Sequence, residues 1–167
     1  MLRIDGSHLE GGGQIVRSAV ALSAVTGIPI EITRIRAKRK KAGLRFQHCA
    51  AVRAVACTCE GDTEGNEPGS DRLLFSPGPI RRSSCVVDVG TAGSIALVLQ
   101  SWLPVALTRG GTLEVTGGTE VPASPTIDYS ENVLIPALGV PEGAVSVTII
   151  RRGYYPAGGG FVRVSAD

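Results

Sequence analysis

Twice in this chain a glycine-bearing turn runs straight into a segment of helix-periodic apolar residues, and the two turns lie 80 residues apart, at Gly13 and Gly93. In the first copy Leu2 to Ile4 reads as a strand and Asp5 to Gly13 as a turn-rich loop. Gln14 to Val25 then carries Ile15, Val16, Ala19, Leu22 and Val25 at helical spacing. Gly27 marks the helix end, and Ile28, Ile30 and Ile32 alternate with Glu31 and Thr33 as in a half-buried strand. Phe46 to Cys59 predicts a second helix, Gly61 to Gly69 an acidic exposed connector, and Arg72 to Phe75 and Cys85 to Val89 two strands. In the second copy Gly90-Thr91-Ala92-Gly93 opens a helix from Ser94 to Leu107, and Leu113 to Val115 alternates as a strand. A loop from Gly117 to Thr126, a helix from Asp128 to Leu138 and strands at Val145 to Ile150 and Phe161 to Val164 follow. The pattern predicts an α/β protein of α+β type, with helices packed on small sheets in two tandem repeated βαβ-containing units, residues 1–80 and 81–167.

Composition removes several classes. At 43% hydrophobic and 19% charged residues the chain is neither disordered nor fibrous. The longest apolar stretch, Ile95 to Leu107, is interrupted by Gln100, Ser101 and Pro104 and is too short for a bilayer, so no membrane span is expected. The first residues lack a secretory pattern, which makes the cytoplasm the expected compartment. Cys49, Cys57, Cys59 and Cys85 match neither a metal knuckle nor a redox pair and are expected to be small core residues.

Net charge is only +2, but seven of the 17 Lys and Arg residues fall between Arg34 and Arg45. Such a loop is either a phosphate-holding surface or a solvated one. The run Glu10-Gly11-Gly12-Gly13-Gln14 stands where loop becomes helix, so bare backbone N–H groups and the helix dipole can meet a phosphate; a plain glycine turn is the alternative. Glu10 repels an anion unless a divalent metal bridges it to the phosphate oxygens. Arg17, one helical turn beyond Gly13, can fork two hydrogen bonds onto those oxygens. Gln47 and His48 open the helix after the basic loop and can turn back toward whatever Arg36 and Arg39 hold. His48 is either a cap or packing residue or a proton-transfer or nucleophilic group, and His8 is the other histidine, in the first glycine loop. Gln100, the strongly polar residue of an apolar helix, reaches a ligand or buried backbone. Pro122, Pro125 and Tyr129 either sandwich a purine or form a rigid connector. Tyr154-Tyr155-Pro156-Ala157-Gly158-Gly159-Gly160 allows close approach to a ligand or a sharp hairpin.

The ordered blocks resemble the RNA 3'-terminal phosphate cyclase family. They are Asp5-Gly6 with Glu10 to Ser18, Ile35-Arg36-Ala37-Lys38-Arg39 through Gly43-Leu44 to Gln47-His48, Gly90 to Ser94 with Gln100, Gly117-Gly118-Thr119, and Tyr155 to Gly160. The resemblance implies repeated α/β units of a type also found in enolpyruvyl transferases. It implies an ATP-dependent, metal-dependent enzyme, using magnesium or manganese, that converts an RNA 3'-phosphate into a 2',3'-cyclic phosphate. Carried over, it gives Glu10 the metal, Arg17, Arg36, Arg39 and Gln47 the RNA phosphate, and Gly11, Gly12, Gly13, Gln100, Pro125 and Tyr129 the ATP. Two departures accompany it. The family's adenylylated histidine, its inserted small domain and its third repeat have no counterpart in these 167 residues, and Leu9 replaces the glycine that usually precedes the glutamate.

The expected function is therefore that of an RNA 3'-phosphate cyclase polypeptide, incomplete or split, with the histidine on another segment and His48 the internal substitute. RNA with a 3'-phosphate end is the expected partner, together with a second polypeptide carrying the C-terminal repeat, or self-association through surface that the absent repeat leaves bare. A non-catalytic RNA-binding or ribosome-assembly relative is the alternative, and an enolpyruvyl-transferase-like enzyme rests on architecture alone.

Overall fold

The computed structural model describes residues 1–167. Strand β1 (Leu2–Asp5) lies parallel to β2 (Ile30–Thr33), as the intervening helix α1 (Gln14–Thr26) requires, because a parallel pair needs a crossover. Gly27 stops α1 in the left-handed conformation at φ 71°. Helix α2 (Phe46–Thr58) follows the basic loop, and β3 (Asp62–Glu64) and β4 (Leu73–Ser76) complete a sheet of order β1-β2-β4-β3. The second half repeats the order. Strand β5 (Ser83–Asp88) pairs parallel with β6 (Gly111–Gly117) across helix α3 (Ile95–Ala106), and β7 (Val145–Arg151) and β8 (Gly160–Ala166) complete the order β5-β6-β8-β7. Between β6 and β7 the chain forms α4 (Ile127–Tyr129), a π-helical turn (Ser130–Leu134) and α5 (Ile135–Ala137).

The two halves interlock through their helices. Ala50 and Ala54 of α2 belong to the core around Trp102, Leu99, Leu113 and Val164, whereas Val105 of α3 belongs to the core around Val16, Ile32, Leu44 and Phe75. Alanines on α2 let α3 approach closely, and Trp102 fills the space so created. Its indole Nε1 donates to Thr58 Oγ1 at 3.0 Å, satisfying the one polar atom that burial of the ring would otherwise strand.

Two expectations need correction. The connector from Gly61 to Gly69 is exposed for the most part, but Asp62–Glu64 pairs antiparallel with β4 as an edge strand. Its side chains are all exposed, so no apolar alternation advertised it. Cys57 and Cys85 are not separate core thiols but a disulfide joining α2 to β5, 28 residues apart in sequence. Packing of α2 on the second sheet brings them together, which sequence spacing cannot convey. Cys49 and Cys59 are buried free thiols as expected, and burial raises the pKa of both.

Candidate functional site

The first glycine loop is braced from both ends. Asp5, closing β1, accepts the Ser7 amide at 2.9 Å and hydroxyl at 2.7 Å and pairs with Arg34. The Ser7 donors and then Arg34 hold its carboxyl down at about 2. Gly11 turns the chain at φ 60° and donates to the His8 carbonyl at 2.8 Å; His8 itself is exposed. Gly13, the N-cap of α1, is needed for another reason: a Cβ there would lie 2.0 Å from His48 Nε2. The backbone at Gly12 passes under Arg39, whose Nη2 would be 3.5 Å from a Cβ at that position. Gly13 thus lets the start of α2 settle onto the start of α1, whereas a side chain at Gly12 would make only ordinary contact with Arg39.

Cations gather around that contact. Arg17 on α1 is 8% exposed; its Nη2 donates to Gln14 Oε1 at 2.9 Å, while its Nε is buried with no partner. A buried guanidinium N–H without an acceptor is costly. Arg36 stands at φ 54° and uses Nη1 to bind the carbonyls of Lys41 and Gly43 at 2.8 and 2.9 Å, which shapes its own loop. Arg39 Nη2 meets Glu10 Oε2 at 3.2 Å, and Lys38 ties the loop to the Leu9 carbonyl at 3.0 Å. Arg45 carries no assignment from the sequence beyond membership of the basic run. It stands directly before α2, a position whose backbone N–H needs an acceptor, and that is the signal that marks it.

The acceptor is His48. Its Nδ1 receives the Arg45 N–H at 3.0 Å, so the neutral ring carries its proton on Nε2. The ring is buried, and burial, then Arg17, Arg36 and Arg45, push its pKa down to about 3. His48 is a neutral cap with neither nitrogen offering a free lone pair, which leaves no nucleophile there for attack on phosphorus.

The second group of predicted residues lines a groove beside this cluster. Gln47 reaches across to the second glycine loop, where its Oε1 accepts the Ser94 N–H at 3.4 Å. That loop is set by Asp88, which accepts the Gly90 N–H at 2.8 Å, and by Ser94, which caps α3 through Leu97 N–H at 3.3 Å. Gln47, Gly93, Ser94, Leu97, Val121 and Pro122 belong to the wall of a cleft of 590 Å³. One helical turn beyond Leu97, Gln100 joins Pro125, Thr126, Tyr129 and Leu134 around a cavity of 460 Å³. Three residues drawn from two separate sequence segments therefore meet in one place. The glycine run of the last loop serves close backbone packing: Gly153, Gly160 and Gly117 abut one another, and Gly158 lies against Ala92.

The fold and this site define a class: α/β proteins in which two units of matching strand order close a groove beside a cluster of guanidinium groups at a helix N-terminus. A family model described as RNA 3'-terminal phosphate cyclase matches residues 8–167. Proteins named RNA 3'-terminal phosphate cyclase are similar along the chain. The one from Nitrosospira multiformis is 46% identical over 169 residues, covering 100% of this chain and 48% of the relative. That from Caldivirga maquilingensis is 49% identical over 168 residues, covering 99% and 48%, and that from Archaeoglobus fulgidus 46% over 167 residues, covering 99% and 51%. The chain belongs to the RNA 3'-terminal phosphate cyclase family, and it spans about half the length of these curated relatives.

Proposed function

We propose that this chain is the substrate-holding part of an RNA 3'-phosphate cyclase, which converts an RNA 3'-phosphate to a 2',3'-cyclic phosphate at the expense of ATP. The observation that carries the reading is Arg17, buried beside the glycine loop with its Nε unpartnered, sharing the neighbourhood of His48 with Arg36 and Arg45, while Arg39 acts on Arg36. A terminal phosphate, doubly charged and exposed at a strand end, supplies the negative charge this cluster lacks. Arg17 and Arg39 take its oxygens, Arg36 keeps the loop in shape and adds charge, and Gln47 ties the start of α2 to the second glycine loop.

Gln100, Pro125 and Tyr129 form the place for adenine, with the proline and the half-exposed tyrosine as apolar faces and the amide as the polar end. ATP supplies the adenylyl group that makes the terminal phosphate reactive. The metal donor set on this chain is narrow: Glu10 is exposed and paired with Arg39, and no group of three or more His, Cys, Asp or Glu side chains stands together. One carboxylate suits a magnesium or manganese ion that arrives on nucleotide phosphates and keeps most of its other ligands. A phosphate engaging Arg39 would release Glu10 for that ion. The reactive histidine of the family is, on this reading, supplied by another segment or chain. An apolar groove of 240 Å³ lined by Leu2, Ile4, Ala19, Leu22, Ile28 and Ile30 supports cover by further polypeptide.

The test is binding of one short RNA bearing either a 3'-phosphate or a 3'-hydroxyl, with Mg-ATP present and the product scored for cyclic ends. The phosphate end should bind tighter, and Arg39→Ala should weaken it about tenfold while leaving the hydroxyl end little changed. Equal losses for both ends would reduce the cluster to a general polyanion surface and favour a non-catalytic RNA-binding protein.

A further inference from the structure

Two exposed aromatic side chains have no role so far: Phe46 lies outside the sites described, and Tyr155 also borders the 590 Å³ cleft without an assigned partner. Phe46, the first residue of α2, is 45% exposed, and Tyr155 is 69% exposed. Single exposed apolar residues need no explanation, but these two line the same cavity of 350 Å³, together with Arg45, Gln47, Thr91, Ala92 and Gly93. Their supports are firm. Phe46 is fixed by the helix turn that His48 caps, and the loop bearing Tyr155 is locked onto the second glycine loop where Gly158 meets the Ala92 backbone. At Gly90, which turns at φ 74°, a Cβ would stand 3.9 Å from Phe46 Cδ1, so the glycine loop runs along the edge of the ring.

Arg45 joins this cavity to the cationic cluster, because it lines the one and acts with Arg17 and Arg36 on His48 in the other. Arg45 offers a strand whose phosphate rests on the cluster a continuous path for its nearest nucleotides into this cavity. Aromatic faces beside a guanidinium row form the platform on which single-stranded bases stack, and such stacking tolerates any base. We propose that Phe46 and Tyr155 form a stacking subsite for a nucleobase near the 3' end of single-stranded RNA. The subsite rests on the phosphate reading of the cluster and deepens it by giving the strand a second hold.

The experiment compares 3'-phosphorylated RNA carrying all its bases with the same RNA made abasic at the terminal or the next nucleotide, by fluorescence anisotropy at one salt concentration. The intact RNA should bind about tenfold tighter than at least one abasic form. Phe46→Ala should abolish that difference, Phe46→Trp should preserve it, and Mg-ATP affinity should not change. Tyr155→Ala is the second variant, at a site too exposed to threaten folding. Equal binding of intact and abasic RNA by the parent would overturn the proposal. So would a loss of Mg-ATP binding in Phe46→Ala, which would make adenine the occupant. Failure of the phosphate reading is read separately, from the 3'-phosphate against 3'-hydroxyl comparison with all bases present.

Discussion

Leu9 lies at φ 49°, in the left-handed region, with its side chain 78% exposed. An L-residue with a Cβ is strained there by about 1 kcal/mol, and the exposed side chain recovers little of it. Leu9→Gly should therefore raise stability by about 1 kcal/mol in urea unfolding, less the entropy glycine gains in the unfolded chain. His48 supplies a second test at this scale. Its pKa falls from 6.5 to about 3 on folding, so between those values the unfolded chain binds the extra proton. Its contribution is complete above pH 6.5 and is lost as pH falls toward 3, at a limiting slope of about 1.4 kcal/mol per pH unit. Unfolding measured from pH 7 to pH 4.5 should show this slope, and His48→Asn should flatten it. Asp5, held low by Ser7 and Arg34, acts only at the acid end of that range.

Among the elements, the contact between the N-termini of α1 and α2 is the most demanding. A methyl group at Gly13 would overlap the His48 ring, so Gly13→Ala should cost about 1–3 kcal/mol through overpacking. Removing the ring relieves the clash: Gly13→Ala combined with His48→Ala should be less destabilised than the sum of the single changes, a coupling that a double-mutant cycle reads directly. The helices α1, α2 and α3 were legible because each pairs a glycine or polar start with 3.6-residue apolar spacing. The strands β2 and β6 were legible from alternation. Strand β3 was not, since three exposed residues on a sheet edge show no period, and neither was the π-helical turn from Ser130 to Leu134, whose residues suit an ordinary helix equally well.

For the whole molecule, the shared core of α2 and α3 and the Cys57–Cys85 bond tie the halves together. Closing a loop of this length removes enough unfolded-chain entropy to contribute about 3.5 kcal/mol. Reduction should lower unfolding stability by about that amount, with the Trp102 fluorescence of the folded state retained because Thr58 and its neighbours still enclose the indole. The sequence by itself determined the helices, most strands and the family, because periodicity and glycine placement are local and the blocks Glu10 to Ser18 and Ile35 to His48 are specific. Only the tertiary structure decided that Gly13 makes room for His48, that His48 is a neutral cap, that Arg17 Nε is orphaned, that Cys57 meets Cys85, and that Phe46 faces the same cavity as Tyr155. Each of these depends on atoms brought together by tertiary packing, within the first half for Gly13, His48 and Arg17 and between the halves for Cys57 with Cys85 and Phe46 with Tyr155, and residue spacing along a chain carries no distance across such a contact.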